Sequence, residues 1–273
     1  MRYPNGFPGW IDLQTPDPDG AKAFYAEMFG WVAEDVPTDG GPPYSMLYRG
    51  GIEQGNLVCG LGPMAPQQVE AGMPSVWATY VLVGDVDEMV TAAPGAGGSV
   101  VMPALDVTGQ GRMAMVADPS GAAIGLWQPA GHEGADVVNV PNAWVWSDLQ
   151  SHDLAAALPF YEELFAWRWE KADPAGGSDY VVAHLDAKAE TAEGVDTSVA
   201  GAMPMPPGVP QDTPSVWMIY IGVDDCDAAT AKVVQLGGRV EAGPMDAGGM
   251  RMSVVADPFG AYFQMMTVPT PES

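Results

Sequence analysis

The residues that could act as acid, base, nucleophile or metal ligand are few and scattered. His132 falls in a candidate connecting segment, His152 in a turn and His184 in a strand, so the three histidines form neither a triad nor a clustered ligand set. His184 is the one candidate general acid or base. Cys59 and Cys226 stand at non-equivalent places and read as small buried hydrophobes, not as a disulfide or a thiolate cluster. Asp12 and Asp148 share a strand face with Trp10 and Trp146, because strand side chains alternate with period two. Each aspartate suits a polar anchor, a metal ligand or a bond to a neighbouring element. Arg112 and Arg251, scarce cations at equivalent positions, can hold a ligand carboxylate or phenolate; an ion pair with a local carboxylate is the favoured reading.

That equivalence follows from an internal repeat. Trp10-Ile11-Asp12-Leu13-Gln14 with Phe24-Tyr25 and Phe29-Gly30-Trp31 returns as Trp146-Ser147-Asp148-Leu149-Gln150 with Phe160-Tyr161 and Phe165-Ala166-Trp167. Pro74-Ser75-Val76-Trp77 returns as Pro214-Ser215-Val216-Trp217, and Asp118-Pro119-Ser120-Gly121 as Asp257-Pro258-Phe259-Gly260. The offset stays between 136 and 140 residues, which is a duplicated domain and too long for a solenoid repeat. The expected division is 1–130, a linker at 131–141, and 142–273.

Composition narrows the partners. With 35 acidic and 10 basic residues the formal charge is −25, which repels nucleic acid and anionic membranes; the acidity serves solubility or, in a sharper reading, raises the local concentration of a cationic small molecule. No leader or spanning segment is visible, so the expectation is a cytoplasmic protein.

Helices are expected over Ala21–Phe29 and from Asp85 to about Gly97, both opened by acidic capping residues, and over the corresponding Leu154–Phe165 and Asp225–Leu236. Strands are expected at residues 9–15, Tyr44–Tyr48, Asn56–Leu61, Val76–Val83, Val100–Met102, Arg112–Ala117 and Ala122–Trp127. In the second copy they fall at Trp144–Ser151, Tyr180–Leu185, Ser198–Met203, Val216–Val223, Arg239–Glu241, Arg251–Ala256 and Ala261–Met266. Each copy is thus two β-α-β-β-β units. The glycine-rich runs Gly40-Gly41, Gly50-Gly51, Gly60-Leu61-Gly62 and Gly201–Met205 read as turns and flexible rims.

These features together resemble the vicinal oxygen chelate superfamily, which includes glyoxalase I, bleomycin-resistance proteins and extradiol dioxygenases. The resemblance is carried by Asp17, Ala21, Phe24, Tyr25 and Phe29-Gly30-Trp31, by Val83, Asp85 and Asp87, and by Asp118-Pro119 with Gly121. Their second-copy counterparts repeat it. It implies an α+β fold of two tandem domains, each two β-α-β-β-β units curling into a cup-like mixed sheet with helices outside. It also implies where metal-using relatives place ligands: Trp10, Ala78 and Gly125 here in the first copy, Trp146, Met218 and Gln264 in the second. Only Gln264 could bind a metal, so no family-type metal site and no cofactor is expected.

Indole in place of imidazole makes an apolar, π-rich cup. The expected ligand-binding residues are Trp10, Asp12, Tyr80, Met113, Trp127, Trp146, Asp148, Tyr220, Tyr262, Gln264 and Met266, with no catalytic residue assigned. Trp31, Trp77, Trp167 and Trp217 are expected in the core. The leading expectation is metal-free binding or sequestration of a hydrophobic aromatic natural product, in self-resistance or beside a biosynthetic enzyme, by a monomer or homodimer. The resemblance also extends to tandem proteins of actinobacterial anthracycline-type gene clusters. One alternative is a lyase, isomerase or dioxygenase with a rearranged metal site, or metal-free acid/base chemistry. Another is an interaction module whose cups are filled by their own side chains.

Overall fold

The computed structural model describes residues 3–38, 40–173, 179–185 and 197–268. In chain order the elements are β1 (Pro8–Thr15), α1 (Pro18–Phe29), β2 (Trp31–Val36), β3 (Tyr44–Arg49), β4 (Leu57–Pro63), α2 (Pro66–Glu70), β5 (Val76–Leu82), α3 (Val86–Ala92), β6 (Ser99–Val107), β7 (Gly111–Ala117) and β8 (Ala123–Pro129). The second copy repeats them as β9 (Trp144–Ser151), α4 (Leu154–Phe165), β10 (Trp167–Lys171), β11 (Val181–Leu185), β12 (Ser198–Pro204), β13 (Val216–Val223), α5 (Cys226–Gln235), β14 (Arg239–Ala247), β15 (Met250–Ala256) and β16 (Tyr262–Thr267). Two eight-stranded mixed sheets result, ordered β2-β3-β4-β1-β5-β8-β7-β6 and β10-β11-β12-β9-β13-β16-β15-β14. The α+β architecture of two β-α-β-β-β units per copy is therefore as the residues imply.

Helix starts follow local chemistry. Asp17 accepts from the Gly20 N–H, Asp85 from Asp87 and Glu88, Asp153 from Ala156 and Asp225 from Ala228, satisfying donors the first helical turn leaves free. Both long helices bury one stripe: Ala21, Phe24, Tyr25, Met28 and Phe29 in α1, and Ala157, Phe160, Tyr161, Leu164 and Phe165 in α4. Each ends on a left-handed residue, Gly30 (φ 70°) and Ala166 (φ 56°).

Packing divides the chain into two compact units, each combining parts of both copies. One contains Met1–Trp10, Thr79–Gly134 and Ser147–Trp217. Its core sets Val81, Val83, Ile124 and Leu126 against Phe160, Tyr161, Phe165, Trp167 and Trp217. At its centre the Tyr161 hydroxyl donates to Asp118 at 2.8 Å and accepts the Trp217 indole N–H at 2.8 Å. Trp167 stacks on Tyr161 and donates to the Gly6 carbonyl.

The other unit contains Ile11–Ala78, Ala135–Trp146 and Met218–Ser273. There Ile11, Leu13, Phe24, Tyr25, Phe29 and Trp31 pack with Ile219, Ile221, Val255, Phe263 and Met265. The same clasp recurs: Tyr25 donates to Asp257 at 3.0 Å and accepts from Trp77 at 3.1 Å. Burial and the Asp257 charge drive the Tyr25 phenol well above its usual range, so it stays a proton donor. The four tryptophans expected in the core, Trp31, Trp77, Trp167 and Trp217, are all there.

Four segments differ from the expectation. Gly60-Leu61-Gly62 and Gly201–Pro204 are not rims: they lie inside β4 and β12, and Gly60 and Gly201 are the register partners of Asp12 and Asp148. A Cβ at Gly60 would collide with the Tyr44 ring, which is why a strand interior carries glycine there. The strands expected at Val100–Met102 and Arg239–Glu241 run on to Val107 and Ala247, each continuing past register shifts against its partner strand.

Two stability predictions follow from these contacts. Ala166 takes a left-handed conformation that glycine adopts without a steric cost, so Ala166→Gly is expected to stabilise by about 0.5–1 kcal/mol in urea unfolding, and Gly30→Ala to destabilise by a similar amount. Burial, the largest influence, holds the Asp257 carboxyl above its ordinary range, opposed by bonds from Ala261, Tyr25 and Phe259. A raised folded-state value means the group's stabilising contribution is full below the unfolded pKa of about 3.9 and is lost as pH rises through the folded value. Relative to the native chain, Asp257→Asn should therefore gain ground as unfolding is measured at rising pH; a gap that is independent of pH contradicts the assignment.

Candidate functional site

Alternation along the strands decides which side chains leave the core and face the cups. In β1, Ile11 and Leu13 enter the core, so Trp10, Asp12 and Gln14 occupy the opposite face. The same rule puts Trp146, Asp148 and Gln150 on that face of β9, Tyr80 on that face of β5, and Tyr220 on that of β13.

In the first unit, Trp10, Tyr80 and Trp127 are 4%, 2% and 6% exposed. Strand register sets Tyr80 opposite Gly125 opposite Met115, and Leu82 opposite Trp127 opposite Met113. The Tyr80 ring lies where a Cβ at Gly125 would sit, so that position can carry no side chain while Tyr80 stays in place. His132 completes the group. Its ring meets Trp10 edge to face at a centroid distance of 4.3 Å, and its carbonyl accepts the Trp127 indole N–H at 2.9 Å. The backbone N–H groups of Ala130, Gly131 and His132 all reach the Gln110 carbonyl, which pins this strap in place. No local sequence signal marked His132 as part of the aromatic group, because the contact depends on how the strap turns.

Asp148 and His184 also belong to the first unit. Asp148 is fully buried and sits opposite Gly201. The His184 imidazole contacts the Thr197 hydroxyl at 3.2 Å, and its strand partner is Arg168. His152 is bonded to the Thr213 carbonyl on the surface. Arg112 is held by Asp87 and Asp106, beside an open groove of about 270 Å³ that includes Thr108 and Gln128.

In the second unit, Asp12 is buried and accepts from the Tyr44 hydroxyl at 3.2 Å. Burial first, and the nearby Asp12 charge second, push the Cys59 thiol well above its usual range, which rules it out as a thiolate nucleophile at neutral pH. Met218, Tyr220, Gln264, Met266 and Met252 of this unit lie on the corresponding face of the other sheet. Register sets Tyr220 opposite Gln264 opposite Val254, and Gly222 opposite Met266 opposite Met252. Trp146 is half-buried, and its carbonyl accepts the Trp144 indole N–H. Tyr262 is 44% exposed at the start of β16. Arg251 pairs with Asp227 and Asp246, so both equivalent arginines serve ion pairs.

A divalent ion needs several convergent oxygen or nitrogen donors. Where metal-using relatives place them, one copy offers an indole, a methyl group and a glycine covered by a phenol ring; the other offers an indole, a thioether and one amide. Among the described residues no three His, Cys, Asp or Glu side chains are grouped to hold a metal ion. The donor set does not fit the ion. Nor, among the described residues, is any helix long and apolar enough to cross a membrane.

Comparison with known proteins gives a family and a fold. The model of the Glyoxalase/Bleomycin resistance protein/Dioxygenase superfamily matches residues 8–126 and 144–265. CFP32 of Mycobacterium tuberculosis, which bears a provisional glyoxylase name, is 40% identical over 272 residues, covering 99% of this chain and 97% of that protein. The anthracycline biosynthesis protein DnrV of Streptomyces peucetius is 33% identical over 275 residues, covering 97% and 94%. Among solved structures, the 2,3-dioxygenase LapB of Pseudomonas sp. KL28 superposes with a TM-score of 0.62 at 14% identity over 98% of this chain and 96% of its own. A Mn(II)-bound glyoxalase from Novosphingobium aromaticivorans gives 0.59 at 17% identity over 96% and 82%. At those identities the structures speak for the fold alone.

The Tyr80–Gly125 contact is open to a direct check. Gly125→Ala should cost about 1–3 kcal/mol by overpacking, and the cost should largely vanish in a Tyr80→Ala background. Additive effects in that double-mutant cycle contradict the packing described.

Proposed function

This chain belongs to the Glyoxalase/Bleomycin resistance protein/Dioxygenase superfamily, and from that membership we propose that it binds a hydrophobic aromatic small molecule without a metal ion. The observation that carries the reading is the donor set: aromatic, thioether and glycine positions where metal-using relatives place ligands. Trp10, Tyr80, Met113 and Trp127 supply the aromatic and methionine surface of one copy, and Trp146, Tyr220, Gln264 and Met266 that of the other. Methionine adapts to irregular apolar shapes and packs well on aromatic rings, which suits a polycyclic ligand. Asp12 and Asp148 serve as polar anchors, and Tyr262 closes the exposed end of β16.

The name of DnrV supports a ligand of the anthracycline type. A net charge of −25 favours a cationic one, because the field of the whole chain concentrates it at the surface. The role that follows is sequestration, or presentation to a biosynthetic enzyme. Residues 1–130 and 142–273 are the two repeats, joined by 131–141.

Daunorubicin, a planar aromatic cation, is a suitable probe. Tryptophan fluorescence should be quenched saturably by it, unchanged by prior chelation and weakened by added salt. Loss of binding on chelation, or turnover of the probe that returns only with metal, favours the enzyme reading instead.

A further inference from the structure

We propose that the C-terminal copy reads its ligand through the side-chain amide of Gln264, and that it selects planar aromatics bearing a hydrogen-bond donor and an acceptor side by side on one edge, as in an aromatic lactam. The proposal rests on the binding function above and narrows it to one position and one ligand class.

Phe263 and Met265 of β16, Ile219 and Ile221 of β13 and Val255 of β15 lie in the hydrophobic core. Alternation therefore places Tyr220, Gln264, Met266 and Met252 together on the opposite face, where register brings Gln264 beside Tyr220 and Met266 beside Met252. Gln264 is only 4% exposed, and its amide makes no hydrogen bond to any described residue. Its nitrogen and oxygen are not among the described polar atoms sealed from solvent without a partner, so they keep contact with water, which a ligand edge can displace. The group offers one acceptor oxygen and two N–H donors in a plane. A flat ligand edge with a donor next to an acceptor meets it with two parallel bonds, while the methionines grip the ring faces.

The N-terminal copy cannot do this. Its register equivalent of Gln264 is Gly125, with the Tyr80 ring occupying the space a side chain would need. Discrimination by an amide at this register position thus belongs to the C-terminal copy.

The test uses calorimetric titration of the full chain with 6(5H)-phenanthridinone and its N-methyl derivative, which has the same rings and carbonyl but no donor. The native chain should prefer the unmethylated compound by roughly tenfold, the scale of a hydrogen bond's net contribution. In Gln264→Leu, and in Gln264→Met should the first variant fold poorly, that preference should fall to about twofold or less, while Gln14→Leu retains it. A preference that survives both Gln264 variants overturns the proposal, as does equal binding of the two compounds to the native chain. Absence of phenanthridinone binding beside intact daunorubicin binding also overturns it and leaves the broader reading standing. If neither probe class binds, the binding function itself fails.

Discussion

A phenol held between a carboxylate and an indole, deep in each unit, is the constraint on which the architecture depends. Tyr25 lies on the first helix of one copy, and its acceptor Asp257 precedes the last strand of the other; Tyr161 and Asp118 repeat the arrangement with the copies exchanged. Each phenol also accepts an indole N–H, from Trp77 and Trp217. Both aspartates meanwhile hold their own turns: Asp118 takes the N–H groups of Ser120 and Ala122, and Asp257 those of Phe259 and Ala261. A buried polar cluster that is fully bonded specifies one partner in a way that an apolar contact does not. Each unit is thereby made from parts of both copies, and neither copy owns a complete core.

The polar clasps sit on the core side of the sheets, and Trp10, Asp12, Tyr80, Tyr220 and Gln264 occupy the opposite faces. Duplication then allows those faces to diverge. At one register position the first copy has a glycine beneath a tyrosine ring, and the second has an amide. Under the proposed function, the aromatic and methionine side chains on these faces, with the buried amides of Gln150 and Gln264 in the second copy, suit flat organic molecules better than an ion. Arginines that could have met an anion are drawn into surface pairs with Asp87, Asp106, Asp227 and Asp246.

Much of the fold was legible because its signals are local. Capping aspartates, apolar stripes at helical spacing and the Asp-Pro-x-Gly turns depend on neighbours within a few residues. The exchange of halves was not legible, since Tyr25 has a sequence-equivalent aspartate in each copy and composition cannot say which one it meets. Edge strands β2 and β10 were missed because they are largely exposed and polar, as in Glu34-Asp35 and Glu170-Lys171. Glycines 60 and 201 suggested turns, whereas they mark strand interiors; at Gly60 an aromatic ring from across the sheet needs the room. The candidate site divides in the same way: the family resemblance put Trp10 and Gln264 at ligand positions and alternation set Asp12 on the face of Trp10, while His132 reached Trp10 only through the course of the strap.

What the family's ligand positions can hold decides between a metal-free cup and an enzyme. Elemental analysis of the purified chain, after incubation with manganese, nickel, zinc and ferrous iron and removal of the excess, measures it most directly. Metal well below one atom per chain is the predicted result; one tightly held atom of any of them per copy, lost on replacing Gln264 or Asp12, contradicts it.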